Sequence, residues 1–290
     1  MPDLAFTKMH GLGNDFVVVQ DLGEEWDLTP PAIELLCDRH FGIGADGVLI
    51  VRNATVPGAD YRMLYFNADG SQAEMCGNGV RCFAKYLVDR ELVRGDSLAV
   101  ETLGGVKRID VVRGADGTME TATVDMGEPR LSPAEIPTTL PGPRVQDAAL
   151  ETEYGIVRVT AVSMGNPHAV IWVDDADATP VELIGPAVEN HPTFPNRTNV
   201  EFAEAASEGE GEDRVRLRVW ERGVGETLAC GTGACATVVA AVIDCRTGRD
   251  VTVELPGGEL FVRWDESDGH VYMTGPATEV FTGMLPVPGE

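Results

Sequence analysis

Positive charge is scarce in this 290-residue chain. It carries 22 Lys and Arg against 47 Asp and Glu, a formal net charge of −25, and its lysines are Lys8, Lys85 and Lys107 alone. Such a surface repels polyphosphate and anionic headgroups, which argues against nucleic acid and membrane as partners. No apolar run approaches the roughly 20 residues of a bilayer span. The opening Met-Pro-Asp-Leu-Ala-Phe-Thr-Lys lacks the basic-then-apolar pattern of a secretory signal, so a soluble cytoplasmic protein is expected. The six cysteines are Cys37, Cys76, Cys82, Cys230, Cys235 and Cys245, with no CxxC pair among them. These spacings suit neither a zinc knuckle nor a disulfide scaffold, so free thiols and no metal are expected. The shortage of lysine fits adaptation to concentrated salt and, equally, an arginine-rich codon usage.

Against these absences stands an internal repeat. Gly13-Asn14-Asp15-Phe16 resembles Gly165-Asn166-Pro167-His168, Cys76-Gly77-Asn78-Gly79 resembles Cys230-Gly231-Thr232-Gly233, and Glu101-Thr102-Leu103-Gly104-Gly105 resembles Glu254-Leu255-Pro256-Gly257-Gly258. The separations, 152, 154 and 153 residues, are nearly one offset in one order. The chain therefore reads as two copies of one domain. Residues 1–127 form the N-terminal repeat, with 276–290 returning to it as a strand, and 128–275 form the C-terminal repeat. Pro-rich Gly127–Asp147 reads as the linker.

Apolar, β-branched runs predict strands at Phe16–Val19, Gly47–Val51, Tyr61–Phe66, Ala99–Thr102 and Val106–Val112. The second half adds Ile156–Val162, Ala169–Val173, Asn199–Ala203, Val215–Trp220, Val251–Leu255, Leu260–Trp264 and Val271–Thr274. Helical periodicity marks Pro31–His40, Val80–Leu87, Pro180–Glu189 and Ala234–Ile243. Strands in runs predict an α/β protein of the α+β type rather than a doubly wound parallel sheet.

Each Cys-Gly-x-Gly motif follows a strand and opens a helix. Its glycines let backbone approach a ligand closely, and the helix start offers unpaired N–H groups to a small carboxylate. The same field is expected to lower the pKa of Cys76 and Cys230, while Cys37, Cys82, Cys235 and Cys245 read as buried small hydrophobes. Two thiols at repeat-related positions suit a two-base inversion: a thiolate takes a proton from a tetrahedral carbon, and a thiol returns one to the opposite face. No pyridoxal phosphate or other cofactor is called for.

Met9-His10-Gly11-Leu12-Gly13-Asn14-Asp15-Phe16, Phe66-Asn67-Ala68-Asp69-Gly70-Ser71, Met75-Cys76-Gly77-Asn78-Gly79-Val80-Arg81-Cys82, Gly165-Asn166-Pro167-His168, Thr198-Asn199-Val200-Glu201-Phe202 and Trp220-Glu221-Arg222-Gly223 through Cys230-Gly231-Thr232-Gly233 together resemble the diaminopimelate epimerase family, over essentially the whole chain. The resemblance implies cofactor-independent conversion of LL- to meso-2,6-diaminopimelate, for lysine and peptidoglycan precursors. It implies two pseudo-symmetric domains, each a mixed, largely antiparallel sheet or barrel around a central helix, an active site in the inter-domain cleft, and a homodimer. Carried over, Cys76 and Cys230 are the acid/base pair, and His168 and Glu221 assist catalysis. Asn14, Asn67, Gly77, Asn78, Asn166, Asn199, Glu221, Arg222, Gly231 and Thr232 contact substrate, the Arg222 fork suiting the distal carboxylate. Two positions depart from the family pattern: Gly47 where many members have a substrate-contacting glutamine, and Phe281 where many have a tyrosine at the dimer contact.

Rival readings make different demands. A proline or hydroxyproline racemase-type epimerase would use the same two thiols beside an apolar pocket. A cysteine-nucleophile hydrolase needs one essential cysteine with a histidine partner. A non-catalytic redox module would join its thiols in a disulfide.

Overall fold

The computed structural model describes residues 3–73, 76–205 and 213–286. Met75 of the first cysteine motif and the 287–290 end of the expected returning strand lie outside the described residues. The chain divides into two compact units, Met1–Val124 with Gly275–Glu290, and Asp125–Thr274.

In the first unit β1 (Asp3–Gly11) and β2 (Asn14–Gln20) form an antiparallel hairpin. Its turn residues Leu12 and Gly13 both take positive φ, 57° and 89°, so a glycine is favoured at the second. Helix α1 (Pro30–Cys37) crosses over to β3 (Gly47–Asn53), parallel to β2. β4 (Tyr61–Asn67) runs antiparallel to β3 and pairs with the short β5 (Gln72–Ala73). Helix α2 (Gly77–Asp89) leads to β6 (Ser97–Thr102), parallel to β4, and the antiparallel β7 (Gly105–Arg113) and β8 (Met119–Asp125) follow.

The second unit repeats this pairing order. β9 (Ala148–Thr152), β10 (Gly155–Ser163) and β11 (Pro167–Trp172) are successive antiparallel neighbours. After α3 (Val181–Glu189), β12 (Asn199–Ala205) lies parallel to β11, and β13 (Arg214–Glu221) and β14 (Gly225–Thr227) follow antiparallel. Helix α4 (Gly231–Ile243) precedes β15 (Asp250–Leu255), parallel to β13, and then the antiparallel β16 (Gly258–Trp264) and β17 (Val271–Pro276). Last, β18 (Thr278–Pro286) pairs antiparallel with β1.

The sheet in each unit has a helix on both faces, which explains its continuous apolar runs. In β3, Val48 and Ile50 pack with Ile33 and Leu36 of α1, while the alternating Leu49 points at Gly79 in α2. α2 is buried along nearly its whole length, Lys85 and Asp89 excepted, and α4 is buried from Gly233 to Ala241. Burying each such Leu or Val side chain contributes about 1.5–3 kcal/mol, and this core fixes where each helix begins.

Two expectations need correction. Gly127–Asp147 is no free linker: it belongs to the second unit, Arg130 bridges Ser163 antiparallel, and Ile136 and Val145 are buried in that unit's core. Its lack of period reflects irregular backbone in which Ile136 and Val145 are buried among largely exposed neighbours. Cys245 is exposed at positive φ, just beyond the end of α4, where the helix has already turned to solvent.

Candidate active site

Each Cys-Gly-x-Gly cysteine is the residue that caps a buried helix. Cys76 (φ −136°, ψ 121°) and Cys230 (φ −120°, ψ 109°) are both extended, so the strand-to-helix change falls on the sulfur-bearing residue. Both sulfurs are thereby carried to a helix N-terminus, where Ser or Asp would usually sit.

In the first unit Cys76 is half-buried, and its Sγ lies 3.6 Å from Asn14 Oδ1. The same oxygen accepts from Asn78 Nδ2 at 3.1 Å, and Asn14 Nδ2 donates to Asp46 at 2.8 Å. Asp46 is in turn held by Arg39, which also bridges Asp15. Burial pushes the Asp15 carboxyl up, but the Arg39 and Lys8 bonds outweigh it and hold it well below the ordinary carboxylate range. Behind Asn78 lies Arg81, fully buried and bonded to Asn78 Oδ1 (3.0 Å), Gly77 O (3.4 Å) and Pro276 O (3.1 Å). A Cβ on Gly11 would stand 3.1 Å from this guanidinium, so the small residue belongs to the site. The Asn78 side chain is engaged with both Asn14 and Arg81. Asn67, at the end of β4, donates to Ser71 Oγ at 3.0 Å and shapes the turn after that strand.

In the second unit the side chains form one chain of contacts. Glu201 Oε1 lies 2.6 Å from His168 Nδ1, and His168 Nε2 lies 3.0 Å from Asn166 Oδ1. Asn166 Nδ2 donates to Thr232 Oγ1 at 3.3 Å, and that hydroxyl is 3.5 Å from Cys230 Sγ. Gly233 N–H also donates to the sulfur, at 3.4 Å. Glu221 Oε1 accepts from Thr227 at 2.6 Å. Asn199 is a scaffold group: Nδ2 donates to Pro167 O and Oδ1 accepts from Arg222 N–H, which holds the exposed Arg222 in place.

The expected lowering does not occur at Cys230. Burial, at 5% exposure, pushes the thiol well above its ordinary value, and the Glu221 carboxylate pushes it further. The Thr232 and Gly233 donors pull the other way and are outweighed. A partial dipole charge cannot offset loss of water plus a nearby carboxylate. Among the remaining thiols, burial pushes Cys37 up to about 11 and Cys82 up to about 12, as fits inert core residues.

The diaminopimelate epimerase family model matches residues 6–132 and 160–280. The chain is 52% identical over 283 residues to diaminopimelate epimerase of Pelotomaculum thermopropionicum, covering 97% of this chain and 98% of the relative. It is 51% identical over 287 residues to that of Synechocystis, covering 98% and 99%. The chain belongs to the diaminopimelate epimerase family. Among solved structures, a Bacillus anthracis phenazine biosynthesis protein of the PhzF family superposes with TM-score 0.71 at 17% identity, covering 99% of this chain and 100% of that one. A hydroxyproline epimerase from Agrobacterium vitis, with bound trans-4-hydroxy-L-proline, gives 0.71 at 16% identity, covering 98% and 91%. At such identities the likeness is one of fold.

One of the two expected departures, Gly47, acquires a physical reason. A Cβ at Gly47 would lie 2.6 Å from Phe66 O and 2.8 Å from a Tyr65 ring carbon, so β4 packs too closely for any side chain there. Phe281 is 48% exposed on β18 and meets Phe6 edge-on at 5.9 Å. Sequence reasoning passed over Arg81 and Glu201, although both stand inside the quoted motifs. A charged residue in an otherwise apolar helix face or strand was the available signal for each.

Proposed function

We propose that this chain interconverts LL- and meso-2,6-diaminopimelate without a cofactor, with Cys76 and Cys230 as the two proton-transferring groups. The observation that carries the reading is the repeated placement of a cysteine at the cap of a buried helix, each with an asparagine of the repeat (Asn14, Asn166) in its hydrogen-bonded surroundings. Inversion at a carbon requires removal of hydrogen from one face and delivery to the other. One sulfur, as thiolate, takes the Cα proton, and the electron pair spreads into the substrate carboxylate. The other sulfur, as thiol, gives its proton to the opposite face, so protons balance and the two groups exchange states. Backbone N–H groups of Gly77, Asn78, Gly231 and Thr232 at the helix starts stabilise the carboxylate as charge grows there. In the forward direction Cys230, held as thiol, is the donor.

His168 and Glu221 assist the thiols, Asn67, Asn166 and Asn199 shape the substrate's surroundings, and Arg222 pairs with the distal carboxylate. The product serves lysine and peptidoglycan precursor synthesis in the cytoplasm, where six free cysteines stay reduced. No helix among the described residues is long and apolar enough to cross a membrane. Homodimerisation is assigned to the apolar outer residues of β18, Val280, Phe281 and Met284. Phe281→Asp should convert a dimer to a monomer in sedimentation; an unchanged sedimentation coefficient would remove β18 from the interface.

The direct test incubates reduced protein in deuterated water with LL-diaminopimelate or L-proline and follows Cα–H loss by NMR. Exchange with inversion is expected for the first substrate only. Cys76→Ala and Cys230→Ala should each lower inversion by at least about 10³-fold. Near-normal turnover in either variant would refute the two-thiol scheme.

A further inference from the structure

His168 and Glu201 are fully buried, yet the fold does not require polar groups at their positions. Glu201 pairs across the sheet with Val170, as Leu49 pairs with Val18 in the first unit. His168 follows Asn166 by two residues, as Phe16 follows Asn14. The approach to the helix repeats as well: Leu49 stands 3.3 Å from the Cβ position of Gly79, and Glu201 Oε1 stands 3.0 Å from that of Gly233. One copy fills this place with Phe and Leu, the other with an imidazole and a carboxyl. A buried polar pair that replaces good packing costs stability unless function retains it.

Donor and acceptor bookkeeping shows what the pair does. Asn166 uses Nδ2 to donate to Thr232, so its Oδ1 faces His168 Nε2, and that nitrogen must carry hydrogen. A second proton then lies between His168 Nδ1 and Glu201 Oε1, on whichever atom, and the pair is neutral overall. Glu201 Oε2 is buried with no hydrogen-bond partner among the described residues, which favours the carboxyl's neutral form. Thr232 Oγ1, already accepting from Asn166, has its own hydrogen left to donate to the Cys230 sulfur.

We infer that Glu201 is a positioning residue: by holding a proton against His168 Nδ1 it fixes the Nε2–H tautomer and, through Asn166, aims the Thr232 hydroxyl at Cys230. Loss of that proton moves the imidazole hydrogen to Nδ1, and the Asn166 amide must turn over. Its oxygen then takes the Thr232 hydrogen, and the sulfur loses one of its two donors. The ionisable groups facing Glu201 are His168 on β11, Glu221 on β13 and Cys230 at the head of α4. The inference rests on the role proposed above for Cys230.

Three measurements test it on the full chain. In ¹⁵N-histidine-labelled protein, His168 should show protonated Nε2 at neutral pH; a bare Nε2 would overturn the inference without any variant. Glu201→Leu, which copies the first unit, should lower kcat by about 10²-fold with KM within about threefold. It should also shift Cys230 alkylation to higher pH while leaving that of Cys76 in place. Glu201→Gln, whose amide N–H can donate to Nδ1, should recover kcat to within about fivefold. Wild-type kcat and alkylation in Glu201→Leu, or an equal loss in both variants, would refute positioning. Should Glu201→Leu fail to fold, the tautomer and the Gln variant decide. An active Cys230→Ala would instead refute the two-thiol reading itself, which separates the two failures.

Discussion

The two helix starts share one backbone plan and carry opposite charge. Behind Cys76 the buried ion is Arg81, tied to the two residues that follow the cysteine. At the corresponding place in α4 the chain has the small, uncharged Cys235. Around Cys230 the charged group is instead the carboxylate of Glu221, beside the neutral Glu201–His168 pair. Cys76 is half-buried and Cys230 wholly enclosed. The backbone geometry occurs twice, and the residues around it make the surroundings of the two sulfurs unequal.

The comparison is most open to attack through the thiols. At neutral pH, without substrate, iodoacetamide should modify Cys76 at least about tenfold faster than Cys230, read by peptide mass spectrometry, with Cys37 and Cys82 silent. Equal rates would show that burial and the Glu221 carboxylate do not hold Cys230 as thiol. Next, Arg81→Met should cost about 3 kcal/mol in denaturant unfolding, because three buried acceptors lose their donor. Cys235→Ala, its counterpart, should cost about 1 kcal/mol. Similar losses would mean that the cation merely fills space. The smallest effect concerns acid. Asp15 has its folded-state value below its unfolded one, so its contribution is complete above about pH 4 and fades as pH falls further. Asp15→Asn should remove about 1–2 kcal/mol at pH 7 and flatten the acid decline of Tm; an unaltered acid limb would dissociate Asp15 from stability.

Much of this was legible because local chemistry and fold agree. Val17–Val19 and Val48–Val51 are apolar, mostly β-branched runs buried on both faces, and such runs announce themselves. The Cys-Gly-x-Gly motifs announced two helix starts for the same reason. β1, β8 and β9 were illegible: in Asp3–Gly11 the buried polar Thr7 and Lys8 break up the apolar run, and β8 and β9 alternate buried with partly or fully exposed positions. The 127–147 segment looked like a tether because irregular backbone carries no period even when Ile136 and Val145 are buried. Cys230 shows the deeper limit. The field of its helix is written in the sequence, whereas desolvation and the approach of Glu201 and Glu221 depend on residues brought from distant strands.

The pairing of β18 with β1 bears on the order in which the protein is assembled. The second unit is one unbroken stretch of chain and has its full complement of strands once residue 274 has left the ribosome. The first unit, though translated earlier, keeps a bare edge on β1 until residue 286 emerges, and such an edge invites pairing with other chains. The half made first is therefore the half completed last.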